Sequence, residues 1–316
     1  MGCGVNGAPR RILLLAAIFM NALTSRAAVY YVTVAGLGGE PDYEQRFTAA
    51  AQDLDKIFKS GGNTAHVYTL TGAQATAPQL RETLAAVARE AKTEDDFVFI
   101  LIGHGSFDGI EYKFNLVGPD VTASEIAGMC DRIPAKRQLI VDTTSASGGA
   151  IEALEKPGRA VIAATKSGTE KNATIFARYW VEALRDPETD TDKSESLNAL
   201  ETFIYAKKKT AAFYDSQKRL ATEHAVFEDA GHGDAVREPG NGQGALMSSF
   251  TVLRIGSSQQ AANDPAKKAL LAKKEELEQK IDVLKYQKAA MDPEDYKKQL
   301  TAALLELSKV QEDLDK

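Results

Sequence analysis

The chain has 316 residues, 44% of them hydrophobic, with 38 basic and 44 acidic side chains for a net charge of −6. A composition this near the globular average excludes a largely disordered or collagen-like chain, and the acidic balance gives no footing for non-specific nucleic-acid binding. Two cysteines, Cys3 and Cys130, are too few for a disulfide scaffold or a Cys-rich zinc module.

Residues 1–27 read as an export signal. Arg10 and Arg11 precede a largely apolar run of 12 residues at 12–23, and Ser25-Arg26-Ala27 is a small-x-small cleavage site. A bilayer span takes about 20 residues, so no stable membrane span is expected after cleavage. Cleavage removes Arg10, Arg11 and Arg26 and no acidic residue, which takes the net charge from −6 to −9. It also removes Cys3 and leaves Cys130 alone. The expected location is exported, either periplasmic or secreted.

Residues 28–256 alternate between β-rich and amphipathic segments, the pattern of βαβ units. Strands are expected at 29–35, 64–70, 97–102, 138–142 and 159–165, and helices at 42–59, 78–91, 122–132, 174–184 and 197–220. The run FVFILI at 97–102 is apolar throughout, as a parallel strand covered on both faces requires. Residues 111–117 read as a short excursion off the sheet, the acidic stretch 186–192 as an exposed loop, and 231–244 as a glycine-rich loop before a final strand at 250–255. The expected fold is α/β, a mostly parallel, doubly wound sheet.

Residues 257–316 form a separate unit in this reading. Glycine is absent from 264 onward, and Leu270, Leu277, Ile281 and Leu284 keep helical spacing. Met291-Asp292-Pro293-Glu294 breaks the pattern, with Asp292 fit for an N-cap and Pro293 for the first helical position. Tyr296, Leu300, Leu304, Leu307 and Leu314 then continue a second seam. Two seams across a short break imply an antiparallel helical hairpin, available for self-association, for a partner, or for packing on its own domain.

Two strand ends are chemically distinctive. The first carries Gly103-His104-Gly105; the second carries Asp142-Thr143-Thr144-Ser145-Ala146-Ser147-Gly148-Gly149. Ligands on open α/β sheets bind beyond the carboxyl ends of strands, and glycines there let backbone N–H groups approach a substrate oxygen. Other signals are weaker. Asp229-Ala230-Gly231-His232-Gly233-Asp234 is a degenerate calcium loop with glycines where carboxylates belong. No His-x-x-x-His pair marks a zinc site, and Gly36-Leu37-Gly38-Gly39 lacks the dinucleotide-binding spacing. No metal and no cofactor is expected.

The strand–Gly–His–Gly element, followed 40 residues on by a strand ending in an acidic, small-residue and Ser-Gly turn, resembles the caspase–legumain superfamily (clan CD) of cysteine peptidases. The legumain (hemoglobinase) branch is the more similar. The resemblance implies a caspase-like sheet, a histidine as general acid/base, a thiolate after the second strand, and an oxyanion hole of backbone N–H groups. Carried over, His104 matches the histidine and Gly105 the oxyanion glycine, with Asp142, Ser147 and Gly148 lining the substrate side. The family turn reads like Asp-Ala-Cys-x-Ser-Gly. Anchored on Asp142 it places Thr144 at the cysteine; anchored on Ser147-Gly148 it places Ser145 there. Neither supplies a thiol, and Cys130 lies upstream on the preceding helix. A hydroxyl is a far weaker nucleophile and generally needs a third group to support the histidine, for which Asp108 is nearest in sequence. Two functions follow: a degenerate peptidase homologue that binds a peptide or protein as a scaffold, or an active hydrolase using Thr144 or Ser145 with His104.

Overall fold

The computed structural model describes residues 28–61, 65–240, 242–264, 266–288 and 291–316, so the export signal at 1–27 lies outside the described residues. The elements run β1 (Val29–Ala35), α1 (Pro41–Lys59), β2 (Ala65–Leu70), α2 (Ala77–Glu90), β3 (Asp96–Ile102), β4 (Gly105–Phe107), β5 (Tyr112–Phe114), β6 (Val121–Thr122), α3 (Ala123–Cys130), β7 (Arg137–Asp142), α4 (Ile151–Leu154) and β8 (Arg159–Ala163). They continue with α5 (Phe176–Ala183), β9 (Ser196–Asn198), α6 (Ala199–Ser216), β10 (Val226–Glu228), α7 (Ala245–Ser249), β11 (Thr251–Arg254), α8 (Gly256–Asn263), α9 (Lys268–Gln287) and α10 (Pro293–Leu314).

The main sheet has six strands in the order β10-β8-β7-β3-β1-β2, all parallel except the edge strand β10, which runs antiparallel to β8. The mostly parallel, doubly wound sheet expected from the sequence is present. β3 shows why the apolar run forms a central strand. Its side chains alternate between two cores, with Val98, Ile100 and Ile102 packed on the α1/α5/α6 side. Phe97, Phe99 and Leu101 pack on the α2/α3 side. A strand that alternates in direction but is apolar on both faces is stable only between two helical layers.

Local sequence sets the element ends. The Thr122 side chain accepts the Glu125 N–H while Glu125 reaches back to Thr122, a capping box that starts α3. Asn198 and Glu201 repeat the device at α6. α5 begins at Phe176, two residues later than the periodicity suggests. There the Glu223 carboxylate, 47 residues away in sequence, accepts the Phe176 N–H, and it also accepts that of Ile175. β4, β5 and β6 form a small antiparallel sheet, the excursion expected near 111–117. The final strand, β11, joins β9 in a two-stranded ladder outside the main sheet.

Part of the acidic stretch 186–192 is buried rather than exposed. Asp190 is 5% exposed because its carboxylate accepts the Ser194 and Glu195 N–H groups. No helix among the described residues is long and apolar enough to cross a membrane.

α9 and α10 pack against each other as a hairpin, the Lys267 ammonium donating to the Leu314 carbonyl where the start of one meets the end of the other. Asp292 caps α10 by accepting the Glu294 and Asp295 N–H groups. Leu277, Ile281 and Leu284 are buried as the seam requires. The fully buried first residue is Leu271 rather than Leu270, and Leu304 faces outward at 47% exposure with Ala303 taking its place inside. The hairpin is anchored to the α/β unit through α9. Arg254 grips Glu275 bidentately at 2.6 and 2.9 Å, and Gln279 donates to the Ser249 carbonyl.

Candidate active site

β3 and β7 pair in parallel from Asp96 opposite Arg137 to Leu101 opposite Asp142, so their carboxyl ends deliver the two motif loops side by side. His104 follows β3 and lies partly exposed. Its ring packs edge-on against two aromatic rings of α1, Tyr43 at 4.8 Å and Phe47 at 5.1 Å between centroids. Desolvation lowers its pKa, opposed by a hydrogen bond to the Gly38 backbone, so the imidazole is neutral at neutral pH. No carboxylate pairs with this ring among the described residues. Asp108, the nearest acid in sequence, instead accepts the Ile110 and Glu111 N–H groups, each at 2.9 Å, and closes its own turn.

The hydroxyl loop lies inside the protein. Thr144 is fully buried and Ser145 is 3% exposed. The Thr144 hydroxyl is shared with the Tyr112 phenol at 2.6 Å and donates to the Ser145 carbonyl at 3.0 Å. The Ser145 hydroxyl accepts the Gly105 N–H at 3.1 Å and donates to the Gly105 carbonyl at 3.0 Å. Gly105 is required by this closeness. A Cβ there would lie 2.4 Å from the Ser145 carbonyl oxygen, 2.5 Å from the Tyr112 ring and 2.6 Å from Thr144 Oγ1. Neither hydroxyl bonds to the His104 ring.

The rest of the turn is engaged with the loop after β8. Ala146 adopts a left-handed conformation (φ 57°), uncommon for a residue with a Cβ, and its N–H donates to the Glu170 carbonyl at 2.8 Å. Ser147 Oγ lies 3.2 Å from Thr165 Oγ1 and accepts the Thr165 N–H, while the Gly148 N–H donates to Thr165 Oγ1 at 2.9 Å.

Asp142, the last residue of β7, is fully buried. One carboxylate oxygen accepts the Thr144 N–H at 3.0 Å and the other has no hydrogen-bond partner among the described residues. Burial pushes its pKa up to about 6. Desolvation by burial also raises the Tyr112 phenol well above its ordinary range, so the phenol stays protonated beside Thr144. Cys130 is fully buried on α3, and burial pushes its thiol up to about 12.

The sequence reading placed His104, Gly105, Thr144 and Ser145 in one site, and the structure brings the last three into direct contact. It did not single out Tyr112, whose signal was an aromatic in the short excursion that returns over the loop. Nor did it find the ring of His224, which bonds Glu170 at 2.5 Å beside the same turn.

For metals, the carboxylates of Asp190, Asp192 and Glu201 converge within 4.8 Å. Glu201 already accepts from Thr191 and Asn198 in closing its own loop. Asp229, first residue of the degenerate calcium loop, gives its two oxygens to the Gly244 and Met247 N–H groups.

No protein-family model matches the chain. No curated protein matches it by sequence. Among solved structures the chain is similar to caspase-1 from Spodoptera frugiperda, at 10% identity and a TM-score of 0.45 over 64% of this chain and 86% of that one. A protein from Geobacter sulfurreducens aligns at 10% identity and a TM-score of 0.47, over 73% of this chain and 100% of that one. The Drosophila initiator caspase Dronc aligns at 14% identity and a TM-score of 0.42, over 74% of this chain and 95% of that one.

Proposed function

We propose that this is an exported caspase/legumain-like protein whose peptidase site is closed, and that it acts as a binding or scaffold module for a peptide or protein. One observation carries the reading. The Ser145 hydroxyl both accepts from and donates to the backbone of Gly105, the residue that matches the family's oxyanion donor. An oxyanion hole works by holding N–H groups free and aimed at developing charge. Here that N–H is already satisfied. The other candidate nucleophile, Thr144, is held between Tyr112 and a carbonyl and has no exposed surface.

The chemistry agrees. A hydroxyl nucleophile needs a base in hydrogen-bond reach and a group that supports the resulting imidazolium. Among the described residues His104 hydrogen-bonds to neither hydroxyl, and no carboxylate pairs with its ring. With the site closed, the surfaces left for recognition are the exposed side of His104 and the outer face of α10, where Leu304 and Leu305 are 47% and 62% exposed.

The test is incubation of the chain from Ala28 onward with a diverse peptide library. No cleavage is expected. Cleavage that disappears in His104→Ala would replace this reading with the active hydrolase. Export is tested separately by fusing residues 1–27 to a reporter. Processing and translocation are expected, and retention of the full-length fusion in the cytosol contradicts the proposed location.

A further inference from the structure

A second feature at the ends of β3 and β7 lies on the opposite side of the sheet from Tyr112. It is a cavity of about 790 Å³ that opens between α1 and α5, with Ile102, Gly103 and Thr143 at the strand ends forming its floor. That volume falls within the range of small-molecule sites. Its walls are apolar: Phe47 and Ala50 from α1, Ala177 and Val181 from α5, and Phe213 from α6.

The charges at the cavity are unequal. Three carboxylates line it, and each is engaged: Asp53 with Arg185 at 2.9 Å, Glu182 with Lys209 at 3.3 Å, and Asp186 with the Tyr205 hydroxyl. Three arginines line it too, and only Arg185 is answered by a carboxylate. Arg46 and Arg178 stand exposed on the two facing helices, each guanidinium over a tyrosine ring of its own helix, at 5.3 Å from Tyr43 and 5.4 Å from Tyr179. Neither has a carboxylate within 4.0 Å among the described residues. With three carboxylates and three guanidiniums the lining is balanced, where the chain as a whole carries 44 acidic and 38 basic side chains, and the two guanidiniums without a carboxylate partner border the apolar walls. Planar guanidiniums recognise carboxylates through paired N–H groups, and their weak hydration suits an apolar border.

We propose that this cavity binds an amphipathic monocarboxylate, with its aliphatic or aryl body seated between Phe47 and Val181 and its carboxylate held by Arg46 and Arg178. The site is independent of peptide cleavage and stands whether or not the hydroxyl loop is active.

Calorimetric titration of the chain from Ala28 with octanoate, octanol and acetate tests it. Octanoate is expected to bind at one site, more tightly than either octanol, which lacks the charge, or acetate, which lacks the body. The double variant Arg46→Gln/Arg178→Gln, both on exposed positions, is expected to weaken octanoate about tenfold or more while leaving octanol unchanged. Ala177→Trp, which fills the cavity from α5, is expected to abolish both. Thermal unfolding of each variant at the wild-type temperature establishes that the fold is intact. Equal affinity for octanoate and octanol, an unchanged octanoate affinity in the double variant, or no binding of octanoate overturns the proposal.

Discussion

Two regions share the carboxyl ends of β3 and β7 and differ in nearly every physical respect. On the side of the sheet covered by α2, α3 and the small β4-β5-β6 sheet, the loops are sealed: Thr144, Ser145 and Tyr112 are buried and bonded to one another or to Gly105. On the side covered by α1 and α5 there is open volume, an apolar wall and unanswered positive charge. Strand ends place groups where a site is convenient, but what packs over them decides whether the site is open. Here the small sheet brings Tyr112 across the hydroxyl loop, while α1 and α5, joined by the Asp53–Arg185 pair, leave a cavity between them over the strand ends.

The largest effect that would break this contrast is expected at Gly105. In Gly105→Ala the new methyl meets a backbone oxygen and two buried side chains, and a loss of about 3 kcal/mol is expected in denaturant unfolding. A near-neutral result would mean that the loop is looser than its distances indicate.

Asp142 sharpens the contrast through pH. Its folded pKa, about 6, lies above the ordinary 3.8. Between those values the folded state holds a proton that the unfolded state has lost, so stability falls as pH rises through this window. Asp142→Asn removes that slope. Its stability relative to wild type is expected to rise by about 2 kcal/mol between pH 4 and pH 7, measured by unfolding at each pH. Parallel profiles for the two proteins would contradict a buried, proton-sensitive carboxylate.

Ser145→Ala is expected to cost about 2 kcal/mol, since it leaves the Gly105 N–H and carbonyl without their partner. The smallest effect belongs to the surface. Leu305→Glu on α10 is expected to change stability by less than about 0.5 kcal/mol, because the side chain is 62% exposed. A larger loss would show that α10 is covered in solution.

The parts legible in the sequence were those with local causes. Apolar runs marked β3 and β7, glycines marked the turns after them, and Asp292-Pro293 marked the start of α10. The parts that were not legible depend on residues distant in the chain. Ser145 meets Gly105 across 40 residues, and Tyr112 meets Thr144 across 32, pairings that no periodicity encodes. Arg46 and Arg178 lie on separate helices 132 residues apart in sequence, and only the facing of α1 and α5 sets both at one cavity. The burial of Asp190 was missed for the same reason that acidic loops usually read as exposed: its N–H partners, on Ser194 and Glu195, are supplied by the fold of the loop itself.

The central claim is that the nucleophile position is sealed, and alkylation of Ser145→Cys in the chain from Ala28 tests it most directly. Background is low because the other cysteine there, Cys130, is fully buried with its thiol raised to about 12. The account predicts that the native variant reacts with iodoacetamide at least about 100-fold more slowly than the same protein in denaturant, with a rate unaffected by His104→Ala. A native rate at or above that of a free thiol, and falling when His104 is replaced, would show an open, histidine-activated site and contradict it.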